Sequence, residues 1–181
     1  MNTLVIIAHP NIKDSIVNKH LLDTLQKNQG LVTIHQLYLE YPDEIIDIQR
    51  EQDLLLAHQA IVFQFPFYWF SCPPLMKKWM DDVLADGFAY GSGPENRKLK
   101  NKAVGFAIST GIEAKEYSRK GRYFYTLEEL FAPFYLTWKY VDAHPLSAFT
   151  FSGIENGVDS ERLELSAADY IKYIKKVASL S

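Results

Sequence analysis

The chain has 181 residues, 48% apolar and 23% charged, with 11 Tyr, 11 Phe and 3 Trp; this excludes disorder, collagen and coiled coil, and suits one globular domain over 1–181. Lys and Arg number 19 against 22 Asp and Glu, a net charge of −3, so no basic balance favours nucleic acid or an anionic membrane surface. Cys72 is the single cysteine, which rules out an internal disulfide, and no apolar run approaches a signal-peptide core or the ~20 residues of a membrane helix, so a cytoplasmic protein without membrane insertion is expected.

Leu4-Val5-Ile6-Ile7-Ala8 is a continuous apolar run, as expected for a strand covered on both faces. A polar loop, His9 to Ser15, leads into a helix whose core stripe is Val17, Leu21 and Leu25, with Gly30 as its stop. Leu31 to Leu37 reads as strand two. Asp43 to His58 contains the next helix, with Leu54, Leu55 and Leu56 against the sheet. Strand three is Ala60 to Phe65, stopped by Pro66. Pro73-Pro74 suits a helix start, and Leu75, Trp79 and Val83 supply that helix's buried face. Lys102 to Ser109 is strand four. Thr126 to Tyr140 is a helix with a break expected near Pro133. Leu146 to Phe151 is strand five, and Leu163, Ala167, Tyr170 and Ile174 mark a closing helix.

Five strands alternating with helices imply an α/β fold: a parallel sheet, right-handed crossovers and helices on both faces. Order 2-1-3-4-5 is one common solution, and ligands then bind beyond the carboxyl ends of the strands. The informative loops are therefore those after strands one, three and four.

The first loop ends in Ser15-Ile16-Val17-Asn18, where free helix amides attract an anion such as phosphate. Ser15 offers a hydroxyl, and His9 and Asn18 further donors; alternatively Ser15 or Asp14 simply caps the helix. The loop has no glycine and no Gly-Lys-Ser/Thr ending, and Gly91-Ser92-Gly93 follows a helix, so neither nucleotide fingerprint is present. The second loop, Pro66-Phe67-Tyr68-Trp69-Phe70, holds four consecutive aromatics that cannot all face a core. They cover a flat aromatic ligand, form a subunit interface, or do both. Cys72 reads as a packed thiol with no activating base. In the third loop, Ser109-Thr110-Gly111-Ile112 permits close backbone approach at Gly111, or is an ordinary polar loop. Tyr117 either donates its phenol to a developing oxyanion or is a half-buried tyrosine. The five His have no metal-ligand spacing, so no metal is expected.

Several motifs together resemble the flavodoxin-like NAD(P)H:quinone oxidoreductases, closest to the small bacterial branch of stress-related oxidoreductases and potassium-efflux ancillary flavoproteins. They are Ile7-Ala8-His9-Pro10, Ser15-Ile16-Val17-Asn18-Lys19, Tyr41-Pro42-Asp43, Ile46-Asp47-Ile48, the long stretch Phe65 to Trp79, Gly87-Phe88-Ala89-Tyr90-Gly91 and Ser109-Thr110-Gly111. The resemblance is continuous to about residue 130 and looser beyond.

The resemblance implies bound FMN, with FAD as the alternative. His9 and Ser15, Ile16, Val17 and Asn18 would hold its phosphate side. Pro66 and Phe67, Tyr68, Trp69 and Phe70 would flank the ring, and Ser109, Thr110, Gly111 and Ile112 would meet its pyrimidine edge. Tyr117 matches a family tyrosine near the substrate. The implied reaction is ping-pong transfer of two electrons from NAD(P)H to a quinone-like acceptor, in a homodimer whose sites draw on both subunits. The alternative is a regulatory subunit of a glutathione-gated potassium efflux system, peripherally associated with a cation transporter. Two positions depart from the family: Ile112 stands where many members have glycine, and Arg122-Tyr123-Phe124-Tyr125 lacks the histidine that others carry.

Overall fold

A computed structural model describes residues 3–28 and 30–180. Its elements are β1 (Thr3–Ile7), α1 (Ile16–Lys27), β2 (Val32–Gln36), α2 (Leu37–Glu40), α3 (Ile48–Leu56), β3 (Ala60–Pro66), α4 (Pro74–Val83), β4 (Ala103–Ser109), α5 (Leu127–Tyr140), β5 (His144–Pro145), β6 (Phe149–Phe151) and α6 (Ser160–Ser179). The sheet is parallel in the order β2-β1-β3-β4-β5, with β6 also on β4. Strand alternation divides the side chains between two cores. Leu4, Ile6, Phe63, Phe65 and Phe106 pack with Trp79, Phe131 and Trp138 of α4 and α5. Val5, Ile7, Val62 and Ala107 pack with Leu21 and Leu25 of α1 and Tyr170 and Ile174 of α6. Burying one such large apolar side chain stabilises the fold by about 1.5–3 kcal/mol.

Four expectations change. Strand five is two short segments, β5 and β6, because the chain bulges between them. Gly105 and Phe106 of β4 face three residues, Leu146 to Ala148, between the paired positions Val104–Pro145 and Ala107–Phe149. Two tyrosines mend the gap. Phe106 N donates to the Tyr173 hydroxyl at 2.9 Å, and that hydroxyl donates to Ser147 O at 3.0 Å. Ala148 N donates to the Tyr135 hydroxyl at 3.1 Å. Gly105 leaves the room: a Cβ there would stand 2.7 Å from the Tyr173 oxygen. The expected break at Pro133 is absent: α5 runs on through the proline, which is exposed, a position where a carbonyl left without its helical N–H can be solvated. Leu55 is buried but Leu56 is 40% exposed, because three consecutive helical residues cannot share one face. α1 ends at Lys27 with Asn28 as its cap, and Gly30, at φ 92°, serves the following turn instead.

Glu51 on α3 is fully buried. Its oxygens accept from Tyr41 at 2.5 Å, Trp79 Nε1 at 2.7 Å and His35 Nε2 at 3.0 Å. Burial opposes the charged form, but the hydrogen bonds from His35, Tyr41 and Trp79 and the His35 charge outweigh it, holding the carboxyl below its usual range. The cluster ties the edge strand β2 to α3 and α4.

Candidate active site

A cleft of about 710 Å³ opens beyond the carboxyl ends of β1, β3 and β4, within the usual range for small-molecule sites. The end of β1 delivers His9. Its Nδ1 accepts from Asn11 N at 3.1 Å, which leaves the proton on Nε2. Burial lowers the pKa of His9, so at neutral pH the ring is an uncharged donor. A short turn, Ile12–Asp14, then sets Ser15 as the N-cap of α1, where its Oγ accepts from Asn18 N at 3.1 Å. The capping reading of Ser15 thus holds, and Ser15 also lines the cleft. The amides of Ile16 and Val17 in the first turn have no intrahelical carbonyl to meet. Asn18 is buried and donates through Nδ2 to Ser109 Oγ at 2.9 Å; the Ser109 hydroxyl hydrogen has no acceptor among the described residues.

The aromatic loop forms a wall. Phe67 N donates to Ser109 O at 2.8 Å, extending the β3–β4 pairing one step. Trp69 and Phe70 then take left-handed backbone angles, φ 50° and 61°, at a cost of about 1–3 kcal/mol each for residues with a side chain. Tyr68, Trp69 and Phe70 all line the cleft, and Trp69 is left 93% exposed. Phe67 is buried and the other three are exposed, so the four aromatics do not all face the core; the turn at Tyr68–Phe70, not strand alternation, divides them. Cys72 is packed, and burial pushes its thiol up.

The loop after β4 closes the other side. Gly111 and Ile112 line the cleft, and neither amide donates to an acceptor among the described residues; a Cβ at Gly111 would fall on the Glu155 carboxylate. Thr110 does not line the cleft, contrary to expectation. It is buried behind the loop, with its amide on Phe151 O at 2.8 Å and its hydroxyl on Ile112 O at 2.9 Å. Tyr117 is only 8% exposed and stacks on Tyr123 at 5.5 Å, which meets Phe70 edge-on at 5.1 Å. Burial raises the Tyr117 pKa, so its phenol keeps its proton at neutral pH.

The cleft thus brings together His9, Ser15 to Asn18, Pro66 to Phe70, Ser109, Gly111, Ile112 and Tyr117. Asp14, Ile154 and Glu155 also line it, and sequence reasoning did not select them for the site. For Ile154 and Glu155 a signal existed: they follow the last strand, whose carboxyl end borders the same cleft. A ring bearing a phosphate fits the donor set, with free helix amides at one end, an aromatic wall, and open backbone amides beside a glycine.

The family described by its flavodoxin-like fold matches residues 1–174. The NAD(P)H oxidoreductase YrkL of Bacillus subtilis is 45% identical, over 97% of this chain and 98% of its own length. The glutathione-regulated potassium-efflux ancillary protein KefG of Erwinia tasmaniensis is 46% identical, over 74% of this chain and 71% of its own. The crystal structure of general stress protein 14 from Treponema denticola in complex with FMN superposes with a TM-score of 0.91 at 40% identity, covering 98% of this chain and 99% of that one. An NADPH-quinone reductase from P. pentosaceus gives 0.85 at 28% identity, covering 96% and 98%. With a family match that runs almost end to end and a relative 45% identical over nearly its whole length, the chain belongs to the family of the flavodoxin-like fold.

Proposed function

We propose that this chain is an FMN-dependent NAD(P)H:quinone oxidoreductase. The observation that carries this reading is the single cleft in which helix amides, aromatic wall and glycine loop converge, in a chain related to an NAD(P)H oxidoreductase and to an FMN complex. Bound FMN would supply the redox chemistry, taking a hydride from NAD(P)H and passing two electrons to a quinone-like acceptor in ping-pong order. The amides of Ile16 and Val17, with Ser15 and His9, hold the phosphate. Phe67, Tyr68 and Phe70 flank the ring and exclude water from its face. The Gly111 and Ile112 amides meet the ring's polar edge. Tyr117 holds a proton on its phenol and offers it to the acceptor oxygen as charge develops there. Tyr123, stacked on Tyr117, also lines the cleft.

The chain acts as one domain, in the cytoplasm, and as a homodimer. The exposed aromatics Trp69, Phe124 and Tyr125 support a partner subunit beside the cleft, which sedimentation would test. No helix among the described residues is long and apolar enough to cross a membrane.

The decisive experiment is the absorption spectrum of protein purified without added cofactor, with mass identification of what it releases. Absence of flavin after reconstitution would overturn the enzyme reading. Parallel initial-rate lines for varied NAD(P)H and quinone are expected, and intersecting lines would exclude the ping-pong order. The identity to KefG favours a second reading, an ancillary subunit of a potassium-efflux system. Capture of the cytoplasmic part of a native cation transporter by the purified flavoprotein would support it.

A further inference from the structure

Gln64 is polar and fully buried in the apolar run of β3, and nothing proposed above uses it. Its Nε2 donates to the carbonyl oxygen of Asn18, in the first turn of α1, at 2.9 Å. Its Oε1 accepts from the Tyr170 phenol of α6 at 3.0 Å. Tyr170 is also fully buried, and burial raises its pKa well above the usual value, so the phenol stays a donor and fixes the orientation of the Gln64 amide. The Gln64 backbone oxygen accepts from Ala8 N at 2.9 Å. Two and three residues on, Pro66 and Phe67 begin the aromatic wall. Asn18 in turn reaches Ser109 on β4. The series Tyr170, Gln64, Asn18, Ser109 therefore joins α6, β3, α1 and β4 beneath the cleft.

The fold does not need this amide. The Asn18 carbonyl already accepts a helical bond from residue 22, and a methionine would fill the strand position without requiring buried partners at both ends. What Gln64 adds is direction, since it fixes the first turn of α1 against the strand that carries the wall. We propose that Gln64 and Tyr170 are positioning residues, which hold the α1 amides and the Asn18–Ser109 pair at the spacing from Phe67 to Phe70 that FMN requires. This assignment rests on the FMN reading.

Three variants test it: Gln64→Met, Tyr170→Phe and the double variant. Each single change leaves a buried group unpaired and lowers the melting midpoint of the cofactor-free protein. The double change removes both ends of the bond, which is close to neutral, so its midpoint recovers. FMN affinity, read by quenching of flavin fluorescence, does not recover. It falls about tenfold in Gln64→Met, less in Tyr170→Phe, where Gln64 keeps its bond to Asn18, and stays about tenfold down in the double variant. Affinity that recovers with the midpoint, or wild-type affinity in all three variants, would overturn the positioning role. Wild-type protein that binds no FMN would instead overturn the FMN reading and this assignment with it.

Discussion

The Glu51 cluster and the floor of the cleft are both polar groupings set into an apolar sheet, and they differ in what they leave over. Around Glu51 every donor ends on the carboxylate inside the chain. In the cleft, the Ser109 hydroxyl, His9 Nε2 and the amides of Gly111 and Ile112 end on nothing among the described residues. A closed cluster serves the fold, and an open one awaits a ligand. Perturbation should therefore separate them: changes at Glu51 should move stability, and changes at the cleft should move binding and rate.

The largest effect is expected at Glu51. Glu51→Ala strands three buried donors and should cost about 3–5 kcal/mol in denaturant unfolding, with FMN affinity of the folded fraction unchanged. A large fall in that affinity would break the separation. Acid sharpens the same contrast. The carboxyl is held low in the folded protein, so its contribution is present above the unfolded value of about 4.3 and is lost as pH falls through the folded value. Glu51→Gln should flatten that acid limb of the stability curve.

At the cleft, Tyr117→Phe should slow quinone reduction about tenfold to a thousandfold with FMN binding intact. Stopped-flow traces separate the two half-reactions, and an unchanged oxidative step would assign Tyr117 to packing. Ser15→Ala should weaken FMN about tenfold to a hundredfold, and riboflavin less; equal losses would leave Ser15 as a cap alone. The smallest effect belongs to Asp14, which lines the cleft next to Ser15. Asp14→Asn should tighten FMN by about 0.2–1 kcal/mol, the scale of an exposed charge pair, and leave riboflavin unmoved in titration.

The sheet was legible because apolar runs such as Leu4 to Ala8 and Ala60 to Phe65 carry their strands locally. The loops beyond them were legible through strand order. The bulge was not: Leu146 to Phe151 reads as one strand, and one of the two phenols that mend it comes from Tyr173, 26 residues after the Ser147 it bonds. Glu51 was equally hidden, since a glutamate on a helix reads as solvated until His35, Tyr41 and Trp79 are seen to converge on it. Thr110 fell within a motif that does meet the cleft, but successive residues of an extended chain face opposite ways.

No lysine or arginine is among the residues that line the cleft, and His9 is neutral there. A phosphate bound in it would be held by dipoles and hydroxyls, and the formal charge among the lining residues next to Ser15 is that of Asp14. Lysine-built anion sites lose affinity steeply as ionic strength rises and gather their ligands from a distance. Here the cofactor's dissociation constant should change little between low and high salt, and its association should proceed at an unsteered rate, so that retention rests on slow departure rather than rapid capture.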